Sequence, residues 1–483
     1  MSSLSQRLSR GRRADASPAL VMFIVCAGVV LASLDLFIVN VALPDMAKDL
    51  GADGLGELSW VLNAYAIVYA SLLVLFGRLA DRYPREQGFL LGVAIFTLAS
   101  AACGAATSVG MLVAFRIVQA VGAALLTPTS LGLVLATTSP ERRHGAVRGW
   151  TAVGGVAAAL GPVIGGLLVA ASWRWVFFVN VPIGLAAIVV GWRRLPRVPG
   201  HAVETPDPFG AGLVTAGIAM LTLGLVEGGT WGWGSTRTIA VLAGSVVLIG
   251  AFVLRCLRVR NPLVDPALFK VRAFSGASAV GLVFSMAFGA MLLSNVLWCQ
   301  EVWGWSALQT GLAIAPGPLM VPFFAFFVAG RLITRFGSGA VIAAGSTIFC
   351  AGIAWRAAVS GATPDYVGDM LGGMLLTGIG VGLTLPTFMA TATSSLPPQS
   401  FATGSGVVNM MRQVGLAIGV AVFIAVLGTP ATTAAAVSAF RDGWVVIGAI
   451  SAASAVVGLL VLPVRIRAAV PIAAGSTAQL ETE

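Results

Sequence analysis

Charge is scarce in this chain. Asp, Glu, Lys and Arg together make up 10 % of its 483 residues, against about 25 % in a typical soluble domain. So little charge cannot cover a water-soluble body of this size, which argues against a soluble enzyme. Histidine is nearly absent. His144 and His201 stand apart in polar segments, so they form neither a metal-ligand cluster nor an acid–base pair. The five cysteines, Cys26, Cys103, Cys256, Cys299 and Cys350, are scattered singly. Without a CxxC pair they point to neither a disulfide framework nor a metal site. No HExxH, GxSxG or GxxxxGK[ST] pattern occurs, so no familiar catalytic or nucleotide-binding constellation is encoded. The chain is not expected to be an enzyme. No cofactor is expected, and any work it does must draw on an ion or solute gradient.

What the chain has instead is apolar length. Hydrophobic residues make up 58 % of it, and the mean hydropathy is +0.94. Runs of about 20 apolar residues recur, as helices crossing a hydrocarbon core require. We read fourteen such spans between residues 19 and 463, the second at 57–77 and the third at 88–107. The expected class is an all-α polytopic membrane protein with the lipid bilayer as its solvent.

The net charge of +10 and the pI of 10.2 could be taken for a nucleic-acid signal. The placement of the charges argues otherwise. With the N-terminus inside, 22 of the 29 Lys and Arg fall in cytoplasmic segments. Five fall outside: Lys48, Arg174, Arg237, Arg356 and Arg441. Arg116 and Arg412 lie within spans. This asymmetry is the positive-inside bias; it explains the pI without nucleic acid and puts both termini in the cytoplasm. The basic start, Arg7 to Arg13, resembles a signal peptide. The run after it is too long, contains Asp35 and lacks a cleavage site, so it reads as a retained first helix. Only two basic residues are Lys, and Ala, Gly and Val are abundant. That usage fits a GC-rich bacterial genome, hence a bacterial inner membrane.

The chain also repeats itself. "GRLADRYPRE" (Gly77 to Glu86) is echoed by "GRLITRFG" (Gly330 to Gly337) at an offset of 253. "AVGAALLTPT" (Ala120 to Thr129) is echoed by "GIGVGLTLPT" (Gly378 to Thr387) at an offset of 258. A parallel duplication of six helices follows, with a substrate site expected at the interface of the halves. The expected units are a first bundle at 1–195 and a linker with two inserted helices at 196–260. A second bundle at 261–466 and a cytoplasmic tail at 467–483 complete them.

Several motifs carry a family resemblance. "GRLADRYPR" resembles the loop 2–3 signature of the major facilitator superfamily. "LDLFIVNVALP" (Leu34 to Pro44) resembles the first-helix signature of its drug:proton antiporters. "RIVQAVGAA" (Arg116 to Ala124) is similar to the fourth-helix motif with its buried Arg, and "ALGPVIGG" (Ala159 to Gly166) to the fifth-helix antiporter motif. "SWRWVFFVNVPIG" (Ser172 to Gly184) and the span count resemble the fourteen-helix branch. The resemblance implies the major facilitator fold and a proton-coupled antiporter that exports small amphipathic or lipophilic compounds by alternating access. Such cargo would be drugs, antibiotics or a natural product of the same cell. Its partners would be that small-molecule substrate, protons and lipid, and a monomer is expected. Pro84 and Glu86 depart from the loop signature, which prefers Gly and a basic residue there. Ala157 replaces the first Gly of the fifth-helix motif.

The residues support roles of their own. Asp35 is a carboxyl midway through the first span, and ionisable groups at that depth are functional candidates by default. Arg116 needs a partner, and Asp35 is the natural one; together they are the proton-coupling candidates. Gly77, Arg78, Asp81, Arg82 and Arg85 form a candidate cytoplasmic gate. Gly161, Pro162, Gly165 and Gly166 give the fifth span a small-residue face that lets helices approach closely. Asn40, Asn63, Tyr65, Tyr69, Gln119 and Asn409 are candidate cavity residues. Met374 aligns with Arg116, so proton handling is expected in the first half only. Trp298, Trp303 and Trp305 are expected at the membrane interface, and Arg412 is expected to snorkel to it. Two rival functions remain on the same residues: a proton-coupled uptake symporter, and a membrane sensor that transports nothing.

Overall fold

In a computed structural model, the structure describes residues 17–52, 55–139, 143–199, 207–396 and 401–462. The expectations for the basic start and for the tail lie outside these residues, as does His201. Among the described residues, thirteen helices are long and apolar enough to cross a membrane.

The first half contains α1 (Pro18–Leu50), α2 (Leu55–Arg82), α3 (Arg85–Gly104) and α4 (Val109–Thr137). It ends with α5 (Arg143–Val169), in which Leu160–Val169 is a shorter apolar stretch, and α6 (Trp175–Arg194). Next come α7 (Pro208–Trp231) and α8 (Thr236–Arg258). The second half contains α9 (Arg272–Val302), α10 (Ala307–Phe336), α11 (Ser338–Val359) and α12 (Tyr366–Ser394). It closes with α13 (Phe401–Leu427) and α14 (Thr433–Val461). α1 is typical of how the helices are bounded. Ser17 caps its start by accepting from the Leu20 amide at 3.3 Å, Pro18 opens it, and left-handed Gly51 ends it at φ 62°.

Glycine contacts carry the duplication into three dimensions. α3 and α4 meet where a Cβ on Gly92 would stand 2.7 Å from the Leu126 amide and one on Gly122 would stand 2.8 Å from the Gly92 carbonyl. α11 and α12 meet the same way, with Gly380 2.6 Å from the Gly345 carbonyl by the same measure. Gly345 and Gly380 are the 253- and 258-residue counterparts of Gly92 and Gly122. Backbones this close gain dispersion contact, which must hold helices together where lipid removes the hydrophobic drive.

α7 and α8 pack on each other, and α7 also lies along α2 and α13. The Asp207 carboxylate before α7 receives Arg255 of α8 through both oxygens, at 2.5 and 2.9 Å. On α8, Val246 and Val247 are exposed, as a face turned to lipid requires.

Two sequence expectations are corrected here. The repeated basic segment is not a loop. α2 runs through Arg82, Pro84 precedes α3, and only Tyr83 and Pro84 turn the chain. Leu79 and Ala80 continue the apolar pattern into the segment, so the helix outlasts its hydrophobic core. The tryptophans are not an interfacial belt either. Trp298 and Trp303 are buried, and Trp298 packs on Trp444 and Phe440 at ring distances of 4.8 and 5.3 Å. A π turn at Trp298–Val302 ends α9 and folds them back into the second half.

Candidate functional site

Five polar side chains from α1, α3, α4 and α6 converge inside the first half. Asp35 and Arg116 are both fully buried and form an ion pair at 2.5 Å. The same guanidinium nitrogen, Nη1, donates to Gln119 Oε1 at 2.7 Å, and Nε donates to the Val61 carbonyl at 3.1 Å. The second carboxylate oxygen of Asp35 accepts from Gln119 Nε2 at 2.9 Å and from Asn180 Nδ2 at 3.3 Å. Both amides also donate to Ser100 Oγ, at 3.1 and 2.9 Å, and Ser100 donates to the Phe177 carbonyl at 3.0 Å. Tyr65 lies under the guanidinium at 4.1 Å and stacks on Tyr69 with ring centroids 5.8 Å apart.

The geometry explains how a charge survives there. A buried ion pair must recover its lost hydration through geometry and further hydrogen bonds. Asp35 gains three donors and Arg116 gains acceptors and an aromatic face. Arg116 Nη2 and Asn180 Oδ1 keep no protein partner. The cluster is thus satisfied on the Asp35 side and incomplete on the Arg116 side. Of the sequence candidates, Asp35, Arg116, Gln119 and Tyr65 come together here. Asn180 and Ser100 were not foreseen. Asn180 is polar within the quoted "VFFVNVPIG" and was the legible signal; Ser100 in an Ala-rich helix gives none.

The other candidates sit elsewhere. Asn40 donates to the Leu36 carbonyl of its own helix at 3.1 Å, and Asn409 likewise to Ser405. Asn63 is fully buried, donates to Ser59 at 3.4 Å, and its Oδ1 has no partner. The Tyr69 hydroxyl meets Thr127 Oγ1 at 3.1 Å. Gly77 and Arg78 lie in the last turns of α2, and Arg82 is exposed over Tyr83. The side chain of Asp81 lies outside the described ones. Arg85 Nη1 reaches the Gly132 carbonyl at 3.4 Å. Glu86, the departure from the loop signature, is buried and accepts from the Val198 amide at 2.9 Å. Its carboxylate pins the irregular segment leaving α6 to the start of α3.

The fifth-helix motif faces two ways. Gly161 and Gly165 admit Phe37 and Ile38 of α1. Gly166 faces the other half: a Cβ there would stand 2.7 Å from the Ala307 carbonyl of α10. One turn into α10, Gly311 is pressed against the Pro162 carbonyl with no room for a side chain. Gln300 Nε2 donates to the Val41 carbonyl at 3.1 Å nearby. The tightest backbone approaches between the halves therefore gather at the face away from the α2–α3 turn.

The second half holds a surprise. Arg356, expected in an external segment, is fully buried in α11. Its Nη1 donates to Asn295 Oδ1 at 2.8 Å and its guanidinium lies over Trp444 at 4.7 Å. Asn295 Nδ2 in turn reaches the sulfur of Met374, the counterpart of Arg116, at 3.4 Å. Each half thus buries an arginine, but among the described residues only the first pairs it with a carboxylate. Arg412 lies about 16 Å along α13 from Phe401, half-buried, and its charge reaches Tyr69 of α2.

A membrane-embedded helical duplication with a seam between its halves is the architecture of a solute carrier. A profile of the Major Facilitator Superfamily matches residues 25–420, and the chain belongs to that family of transporters. It is 35 % identical over 483 residues to the cephamycin export protein of Amycolatopsis lactamdurans, covering 98 % of each chain. It is 32 % identical to the methylenomycin A resistance protein of Bacillus subtilis (strain 168), over 85 % of this chain and 88 % of that one. The fold is similar to that of a human organic anion transporter, with a TM-score of 0.63 at 15 % identity over 91 % of this chain and 99 % of the other. A structure of a proton-dependent oligopeptide transporter gives 0.65 at 14 %, covering 93 % and 99 %.

Proposed function

We propose that this transporter is a proton-coupled antiporter that exports small amphipathic or lipophilic compounds from a bacterial cell. The carrying observation is the Asp35–Arg116 pair, a buried carboxylate with a buried cation inside the first half. Asp35 is the proton carrier. Deprotonated, it holds Arg116, Gln119 and Asn180 in place. Protonated, it loses the charge that fixes Arg116, and the cluster can rearrange. Arg116 tunes that exchange, and no cofactor takes part. The basic α2–α3 turn faces the cytoplasm, both termini lie on that side, and the Gly166–Ala307 and Pro162–Gly311 contacts close the outer side. Asp81 and its neighbours bias the equilibrium between inward and outward states. The related export and resistance proteins support efflux as the direction. The transport path lies between the six-helix halves, with α7 and α8 outside it.

Expression in an efflux-deficient bacterium tests the reading against methylenomycin A, tetracenomycin C, cephamycin and puromycin. Resistance to at least one should rise, and Asp35→Asn should abolish the rise. Heightened sensitivity instead would mean uptake, and no shift with any compound would remove the export reading.

A further inference from the structure

α13 carries an arginine, Arg412, to which no described residue gives a counter-charge. Among the described residues Arg412 has neither a hydrogen bond nor an ion pair, and its charge reaches Tyr69 of α2. The other arginines buried at depth are committed, Arg116 to Asp35 and Arg356 to Asn295. Asp35 is paired with Arg116 and makes no ion pair with Arg412. Half-buried, the Arg412 guanidinium remains open to an acceptor or a negative charge.

The surroundings of Arg412 are those of a binding wall. α13 packs along α2 across the seam between the halves. Ser405 and Asn409 precede Arg412 by seven and three residues, on the same helical face, and both are half-buried like it. Gln413 is fully buried, and neither its Oε1 nor its Nε2 has a partner. Across the seam stands Tyr69, stacked on Tyr65, which underlies Arg116. Arg412 therefore faces the Asp35–Arg116 pair through a stack of two tyrosines. With that pair neutral overall, the uncompensated charge at the wall is positive.

We propose that Arg412 is a specificity-determining residue that receives an anionic oxygen group of the transported compound, a carboxylate, phenolate, enolate or sulfonate. The fork of a guanidinium suits such groups. The carrier accordingly favours anionic and neutral amphiphiles over cations. This rests on the transport reading above.

The test reads the charge of the wall without needing the substrate. Asn409→Cys places a thiol one turn from Arg412, and protein with the natural cysteines alone supplies the blank. Labelling rates are measured with an anionic sulfonatoethyl and a cationic trimethylammonium-ethyl methanethiosulfonate, each normalised to its rate with 2-mercaptoethanol. The normalised anion-to-cation ratio should be about fivefold or more in favour of the anion. It should fall toward one in Arg412→Gln and persist in Arg412→Lys. A ratio near or below one with Arg412 present overturns the proposal, as does a thiol that neither reagent reaches. The wild-type ratio decides even where Arg412→Gln fails to fold. Because no transport is measured, a carrier that moves none of the test drugs yet shows the ratio would lose its transport reading and keep this site. A carrier that exports drug without the ratio would lose only the site.

Discussion

Removing one member of the Asp35–Arg116 pair should cost more than removing both. Asp35→Asn keeps the size of the side chain but replaces two acceptors with one acceptor and one donor. Arg116 Nη1 approaches one oxygen, while Gln119 Nε2 and Asn180 Nδ2 approach the other. Whichever way the new amide turns, its NH2 meets a donor, and Arg116 is left as a buried cation without a counter-charge. Breaking a buried pair from one side costs about 3–5 kcal/mol. Arg116→Met strands the Asp35 carboxylate and should cost a similar amount. The double variant leaves no buried charge, and replacing a whole pair is often near neutral. Its loss should therefore be smaller than either single loss, which makes the coupling at least about 3 kcal/mol, at or beyond the upper end for contacting residues. Thermal inactivation of the purified carrier in detergent gives the order of the four proteins. Additive losses, or a double variant less stable than both singles, would refute the pair as an electrostatic unit. Proton coupling should be absent from all three variants, because a neutral amide at position 35 cannot carry a proton and the others lack the tuned partner.

Three further outcomes follow from particular contacts. Gly166→Val should slow turnover at least tenfold while the protein still folds, because its first carbon already meets the Ala307 carbonyl; spin labels on the outer ends of α5 and α10 should show a population held apart, and unchanged distances would contradict the seal. Arg356→Leu strands Asn295 Oδ1, a cost of about 1–3 kcal/mol, and should lower the thermal midpoint while substrate-linked proton flux persists; lost flux in folded protein would give the second half a proton role. Arg255 beside Asp207 holds that carboxyl below the usual carboxylate range, against a smaller opposing effect of burial. A depressed folded value means the contact stabilises above the unfolded pKa of about 3.9 and is lost as pH falls through the lower folded value. Hydrogen-exchange protection factors at the α7–α8 ends, which divide out the base-catalysed intrinsic rate, should therefore stay flat from pH 8 to 5 in wild type and be lower throughout in Asp207→Asn; loss of protection near pH 6 in wild type would refute the assignment.

Much of the fold was legible because hydrocarbon imposes a simple code. Apolar runs mark spans, and charges out of place mark function. Asp35 and Arg116 stood out for that reason, and the 253- and 258-residue offsets marked the duplication that the glycine contacts repeat. What the code missed shares a physical cause. Arg356 lies one turn from the end of α11, where a linear reading assigns charge to the outer loop, yet the helix packs so that its side chain turns inward under Trp444. Trp298 has the composition of a membrane belt and the position of a core residue, a difference made by the π turn at its own site. Glu86 looked like a defect in a gate motif, but its partner is a backbone amide over a hundred residues away, and backbone amides leave no mark in a sequence. Arg412 fell between two readings because its helix boundary, not its chemistry, decides whether it can reach water.

The most direct test of proton-coupled export is proton movement itself. Everted membrane vesicles energised by respiration hold an acid lumen, and a proton moving outward in exchange for drug raises the lumenal pH. One proton per cycle across a pH unit supports about a tenfold drug gradient, so the exchange should be visible in a pH-sensitive dye. Adding methylenomycin A, tetracenomycin C, cephamycin or puromycin should alkalinise the lumen with at least one compound, and Asp35→Asn vesicles carrying equal amounts of folded protein should show no response. Lumenal pH that stays unmoved by every compound on which wild-type cells gained resistance, or an Asp35→Asn response equal to wild type, would contradict the account.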